Sequence, residues 1–565
     1  MRGPVAPKDP VEKRSYLYVI LDKVIAGRRE PDGAFRDHIY LEGRLQEQIK
    51  FTSGVVDDEM LKLITSVKGF RQLVHSVGIT LKAEDATERE NEAEFQLFCL
   101  GNTEKYVTGS RMEMVVPCTG EEFVIPVDAF PVNEEDTAIG AFHITFASEN
   151  KNHILTVKFY LNDGYEVPEI QVDPPVQFDT KDYAEMISHS LVSKGNNYRL
   201  KKVIERTKRG EEVTIAYIGG SITQGAGAKP INTLCYAYRS YEAFCKLFSP
   251  KEGENVHYVK AGVGGTCSEL GLVRYDLDVT NNGEMMPDLV IIEYAVNDAG
   301  DETKGVCFES LVKKVLKAPN APAVLLNFAV FMNDFNLQER LIPIGERYGL
   351  PMVSVKNAVT PQFEHNNVIT KRQYFYDIFH PTNDGHRIMA DCIAYLFEEV
   401  DKDEKVEQDI QLDVTPVYGT QFDHVCRFDR KDANQYAKIQ TKGFDAIDPD
   451  IMYIERDMDL KVSPLFADNW MHDVTEKDAY FSMKLNCKNL LIVMKDSGDS
   501  RFGKADVFVD GVWKRTMNPL EVGWNHSTAL IIIDEDESKE HEITVKMHPG
   551  EENKLFTIQA FGFTR

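Results

Sequence analysis

Four short stretches of this 565-residue chain hold the residue types that nucleophilic chemistry needs. The first, VTIAYIGGSITQGAG over 213–227, is a β-branched apolar run that stops at Gly219 and Gly220 and presents Ser221. Glycine accepts backbone angles and close approaches that a Cβ blocks, so a strand can end here in a tight turn with the serine at its carboxyl end. A helix cap or a phosphate cradle would use the same residues. The lysine of G-x-x-x-x-G-K-[ST] is missing, the glycines do not spell G-x-G-x-x-G, and Thr223 stands where a G-x-S-x-G elbow needs glycine. Nucleotide binding and that elbow are therefore disfavoured.

The second stretch, YVKAGVGGTCSELG, brings Gly262, Gly264 and Gly265 into a loop whose amides can converge on an anion, as an oxyanion hole requires; a plain strand-to-helix turn would need them too. The third, IIEYAVNDAG, ends a buried run in Asn297 and Asp298. An asparagine amide there can donate to an oxyanion, or can simply close an Asx-turn. Glu293, unusual in so apolar a run, suits a local hydrogen-bond network. The fourth, YFYDIFHPTNDGH, sets Asp377 and His380 three apart, a spacing that lets the carboxylate hold the ring in the tautomer with Nε2 free. Asp377, His380, Asp384 and His386 could also be read as metal ligands, but no dense cluster at zinc spacing accompanies them, and His386 reads as an inward structural residue. The expectation is no metal and no cofactor.

Together the four stretches resemble the SGNH hydrolase superfamily, the GDSL-type esterases. The resemblance covers about 211–400. It implies Ser221 as nucleophile, His380 as base and Asp377 as the orienting acid. It also implies an oxyanion hole from Ser221, Gly265 and Asn297, with Gly264 leaving the register of the glycine donor open. Gly220 departs from the family pattern, which has aspartate there. The fold implied is a three-layer α/β/α sandwich with a parallel sheet of about five strands.

The elements that would position these residues point the same way. Strands are expected at 213–218, 256–260, 288–294, 323–330 and 351–354, with helices at 234–248, 268–276, 306–317, 336–348 and 385–397 between and after them. Runs such as DLVIIEYAV and APAVLLNFAV are nearly all apolar, as strands covered on both faces must be. Before this region, EFQLFCL, RMEMVVP, EEFVIPV, AFHITFA and HILTVKFYL alternate with period two and predict a β-sandwich-like domain, while 57–67 reads as either helix or loop. The apolar segment 16–25 closes in a turn at Arg28 to Gly33. After the charged KDEKVEQD, strands such as LLIVMK, KADVFVDG and HEITVKM predict a second β-sandwich, jelly-roll-like, or strands packed on the central domain without a core of their own. The expected division is 1–175, 176–402 and 403–565.

A formal charge of -26, from 64 basic and 90 acidic residues, disfavours nucleic acid and anionic membrane as partners. The basic run Arg199, Lys201, Lys202, Arg206, Lys208 and Arg209 has no interleaved aromatics and reads as a solvated helix face. Nine cysteines without paired spacing read as reduced thiols, the opening residues lack the continuous apolar core of a signal peptide, and no run approaches a membrane span. A cytoplasmic location is expected. Whether the chain forms a homo-oligomer is left open.

Ester hydrolysis through an acyl-enzyme is the expected reaction. Trp470, Trp513 and Trp524, all in the last hundred residues, are candidate carbohydrate contacts, because ring faces pack on the C–H faces of sugars. A hydrolase domain flanked by β-domains resembles carbohydrate O-acetylesterases, with acetylated plant oligosaccharide as substrate. A short-chain lipid ester or thioester hydrolase and a non-catalytic carbohydrate-binding protein are the alternatives.

Overall fold

The computed structural model describes residues 14–565 apart from positions 31, 32, 56, 86, 88, 89, 104, 106, 107, 171, 367, 455–462 and 477. The opening residues 1–13, and Pro31 and Asp32 of the expected turn, lie outside the described residues. Contacts divide the chain into two compact units. One holds 1–176 with 227–231 and 369–385, and the other holds 177–226, 232–368 and 386–565.

The first unit contains two antiparallel sheets. A four-stranded sheet runs in the order Tyr16–Ala26, Asn152–Leu161, Val74–Ala83, Thr119–Pro126. A five-stranded sheet runs Arg28–Arg29, Phe35–Tyr40, Ala138–Phe146, Glu92–Leu100, Arg111–Pro117. Alternate residues of both sheets, among them Leu17, Ile79, Leu97, Phe142 and Phe159, make one apolar core. The ambiguous stretch 57–67 is helical at Asp58–Leu63, where Asp57 caps the first turn by accepting from Glu59 N and Met60 N.

In the second unit the α/β sheet has the order Leu191–Ser193, Met352–Ser354, Ala323–Phe328, Leu289–Glu293, Val213–Gly219, Val256–Gly262. Five strands are parallel, and only the short edge strand Leu191–Ser193 is antiparallel, so the sheet is mixed. Tyr198–Lys208 and Tyr236–Phe248 pack together in one helical layer, which Phe397 of Asn383–Lys402 joins through Phe244; Ser268–Asp278 packs on Val306–Leu316 in another. The basic run is a solvated face only in part: Lys202, Lys208 and Arg209 are exposed, but the other cations are drawn into contacts. Arg199 is buried and bonds Asp409 and the Leu316 and Pro322 carbonyls, while Arg206 and Lys208 pair with Asp288 and Asp401. These cations tie loops to the sheet.

Residues 403–565 lie in the same unit as this sheet. Their main sheet is antiparallel, ordered Cys426–Phe428, Phe556–Thr564, Tyr480–Asp496, His526–Met547, Ala505–Val509, Val512–Met517. One face builds its own core around Phe481, Met483, Ile543 and Phe561. The other sets Leu491, Val493 and Ala560 into the apolar cluster of the α/β helices, so these strands pack on the central domain while keeping a core of their own. Among the described residues no helix is long and apolar enough to cross a membrane. The nine cysteines are free thiols, seven of them buried.

Candidate active site

Ser221 opens a one-turn helix, Ser221–Gln224, directly beyond the strand Val213–Gly219. The strands on either side place Gly262 and Glu293 in register with Gly219, so the segments that follow all three strands leave the same edge of the sheet. They are held close. A Cβ at Gly220 would stand 2.1 Å from Asn297 Oδ1 and 3.0 Å from its Nδ2. A Cβ at Gly264 would stand 3.8 Å from Ser221 Cβ, and one at Gly262 only 2.0 Å from the Gln224 amide nitrogen. Ser221, Gly264 and Asn297 are thereby brought together. The departure at Gly220 has a steric meaning in this chain: the Asn297 amide occupies the space that a side chain at 220 would fill. Gly265 makes the turn, at φ +70°, while Gly264 is the glycine that faces Ser221.

Asn297 is braced from behind. Its carbonyl accepts from Cys267 Sγ at 3.1 Å, and Asp298 Oδ1 accepts from Ser268 N at 2.8 Å, at the start of the helix Ser268–Asp278. Burial, then the charge of Asp301, pushes the Asp298 carboxyl up to about 8, and burial pushes Glu269 well above the carboxylate range. Glu293, also up to about 8 through burial, accepts from Thr223 Oγ1 at 3.3 Å, which bears out its part in a local network. With their pKa values raised, Asp298, Glu269 and Glu293 carry less negative charge beside Asn297 than ordinary carboxylates would.

If Asn297 donates to an oxyanion, Asn297→Ala should lower kcat by about a hundred- to a thousandfold with little change in KM. Gly220→Ala, which pushes the same amide aside, should lower it in the same sense. Steady-state kinetics on one ester substrate checks both, and near wild-type kcat in Asn297→Ala would remove the residue from the machinery.

In the first unit, Asp377 and His380 form a buried pair. His380 Nδ1 lies 2.8 Å from Asp377 Oδ2, and Asp377 Oδ1 accepts the backbone N–H groups of Phe379 and His380, both at 2.8 Å. With a carboxylate at Nδ1, the ring proton is held there and the lone pair falls on Nε2. Tyr376 N donates to the His380 carbonyl at 2.7 Å, and Phe375 bridges to Pro381, so the loop folds back on itself. Gly227, in the stretch that carries Ser221, packs on Pro381; a Cβ there would reach 2.0 Å from the Pro381 oxygen. His386 is structural, as expected: Nδ1 accepts from Tyr236 N and Nε2 donates to the Ala226 carbonyl.

Two buried residues of the N-terminal sheets hold this loop, and sequence reasoning missed both. Asp37 accepts from Lys229 Nζ at 2.7 Å and from the Tyr376 hydroxyl at 3.2 Å. Lys23 Nζ donates to the Arg372 carbonyl at 2.7 Å and to that of Phe375. Burial pushes the Lys23 ammonium down to about 7, against the pull of Asp377, and a neutral amine still has two N–H groups for the two carbonyls. Below about 7 both folded and unfolded chains bind this proton, and the folded chain carries the full desolvation cost. From there to the ordinary 10.5 only the unfolded chain keeps the proton, so stability gains with pH. The margin in Tm of the wild type over Lys23→Met should therefore widen as pH rises through that window. A margin independent of pH would count against a titrating Lys23.

The three tryptophans separate. Trp470, 3% exposed, is core, packed on Phe481 and Phe561, and the expectation of a carbohydrate contact there is corrected. Trp513 is 55% exposed on the edge strand Val512–Met517, bonded to Asp506. Trp524, 37% exposed, lies against the Gly264–Gly265 loop: a Cβ at Gly265 would stand 2.7 Å from its Cζ2. His526 beside it donates from Nε2 to the Gly265 carbonyl at 3.0 Å, which fixes the tautomer of a ring that burial keeps neutral, its pKa pushed down to about 4. Nothing in the local sequence signals His526.

Residues 217–388 match the model of the GDSL-like Lipase/Acylhydrolase family, so the chain carries a hydrolase domain of that kind. No curated protein matches the chain. Among solved structures, a two-domain esterase (CEX) active on acetylated mannans is 28% identical, with a TM-score of 0.57 over 67% of this chain and 99% of its own. The same esterase co-crystallised with mannopentaose matches over 67% of this chain and 98% of its own, with the same identity and TM-score. A family two carbohydrate esterase from Clostridium thermocellum, in complex with cellohexaose, is 12% identical with a TM-score of 0.26, over 66% of this chain and 98% of that one.

Proposed function

We propose that this chain is a serine esterase that removes O-acetyl groups from carbohydrate, acting on short plant-derived oligosaccharides in the cytoplasm. The observation that carries the reading is the convergence of Ser221, Gly264 and Asn297 beyond adjacent parallel strands. A serine hydroxyl beside an asparagine amide and a glycine loop is what attack on an ester carbonyl requires. In this reading His380 Nε2 accepts the Ser221 proton, Ser221 Oγ attacks the acetyl carbonyl, and the oxyanion is held by the Ser221 and Gly265 amides with Asn297. His380 then gives that proton to the departing sugar oxygen, which leaves as a hydroxyl, and water activated by the same ring releases acetate. Asp377 holds the tautomer throughout.

Likeness to an esterase active on acetylated mannans favours manno-oligosaccharide among the sugars. Trp524 supplies a ring beside the Gly265 turn on which a sugar C–H face can pack. The test is acetate release from acetylated manno- and xylo-oligosaccharides set against medium-chain esters and acyl thioesters. Preference for an acetylated sugar is expected. Efficient turnover of a lipid ester or thioester with none of the sugars would overturn the assignment.

A further inference from the structure

The outer face of the five-stranded sheet carries rings where a solvated sheet face ordinarily carries charged chains. His38 and Tyr40 are two apart on the strand Phe35–Tyr40, and so on one face; His143 is the direct cross-strand partner of His38. Phe98 and Arg111 face each other on the next pair of strands. From the far side inward, Arg111 lies over Phe98 at 5.5 Å, Phe98 stacks on His143 at 6.0 Å, and His143 meets the edge of His38 at 4.6 Å. His38 stacks on Tyr40 at 5.7 Å, and Tyr40 meets His380 itself, with ring centroids 6.2 Å apart. The opposite face of the same strands is ordinary core: Asp37, Ile39, Phe142, Ile144 and Leu97 are buried.

We infer that this ladder of rings is a sugar-binding track that holds the oligosaccharide backbone flanking the acetylated residue. It rests on the carbohydrate reading of the substrate given above. Three features argue for a neutral saccharide. The half-buried rings of His38, Tyr40 and His143, backed by the buried Phe98, present the flat apolar faces that sugar C–H groups pack against. Polar groups on the same face, Glu30 beside His38, Gln96 bonded to Glu113, and Arg111, offer hydrogen bonds to hydroxyls. The row is continuous with the ring that serves as base, so a chain lying along it leads to that ring. Burial also keeps His143 uncharged, so the ring midway along the row packs as an apolar face, with Arg36 and Arg111 as the cations beside it.

The experiment uses the full chain. For Tyr40→Ala and His143→Ala, kcat/KM is measured on an acetylated manno-oligosaccharide and on 4-nitrophenyl acetate, and binding of unacetylated manno-oligosaccharide is measured by calorimetry on wild type and variants. The ratio of oligosaccharide to small-ester kcat/KM should fall by about tenfold in Tyr40→Ala. It should fall less in His143→Ala, chiefly on longer chains, and the loss should appear in KM and in the calorimetric Kd. Tyr40→Phe, which keeps the ring, should restore the ratio. An unchanged ratio, or a fall in both substrates together, overturns the track and leaves Tyr40 as a support for His380. If the wild type hydrolyses the small ester but no acetylated sugar, the proposed substrate fails, and the ladder survives only if calorimetry still shows ring-dependent oligosaccharide binding.

Discussion

Ser221→Ala is expected to lower kcat by about 10⁶-fold, because a nucleophile and its base act as a unit and losing either forfeits nearly all the covalent route. The substitution removes one oxygen at the mouth of a short helix whose buried residues are Ile222, Thr223 and Gln224, so the fold should be unaffected. What remains would be the residual catalysis of the oxyanion donors acting on bound substrate and water. An organophosphonate should label the wild type at Ser221 and leave the variant unlabelled. Turnover in Ser221→Ala within tenfold of wild type would transfer the chemistry to another residue.

Asp377→Asn should lower kcat by about 10⁴-fold. Asparagine has the size of aspartate, and its carbonyl oxygen can still accept the N–H groups of Phe379 and His380 that now bond Asp377 Oδ1. The change falls on the other oxygen. Where Oδ2 accepts from His380 Nδ1 at 2.8 Å, an amide nitrogen would donate, which drives the ring proton to Nε2 and removes the base. The expected signature is a large fall in kcat with Tm near that of the wild type and a changed pH dependence of kcat/KM. A fall of less than tenfold would show that the carboxylate does not govern the tautomer.

Much of the α/β region is legible from pattern alone. The run 289–293 and its neighbours are apolar throughout because both faces of the sheet are covered, and the helices between them keep a helical period. The N-terminal strand Tyr16–Ala26 is harder. It breaks register with Asn152–Leu161 between Tyr18 and Ile20 and again between Ile20 and Lys23, with Asp22 at φ 47°. A bulge of this kind shifts the phase of alternation, so Lys23 turns inward where a simple period would send a lysine to solvent. The polar pair Asp22–Lys23 inside an apolar run was the available signal. At the other end of the chain, Trp470, Trp513 and Trp524 look alike in sequence, and only packing separates a core ring from one beside the Gly265 turn.

The glycines that shape the serine turn, and the Asp377–His380 pair closed within a few residues, are local features; the chain determines them by itself, since backbone permissiveness and short spacing suffice. The side chains that surround those features are another matter. His526 reaches Gly265 across 261 positions, Lys23 reaches Phe375 across 352, and Tyr40 stands at His380 from a strand in the other terminal half of the chain. Only the tertiary structure decided these contacts, because sheet pairing and bulges choose which distant residue faces which, and no local period encodes that choice.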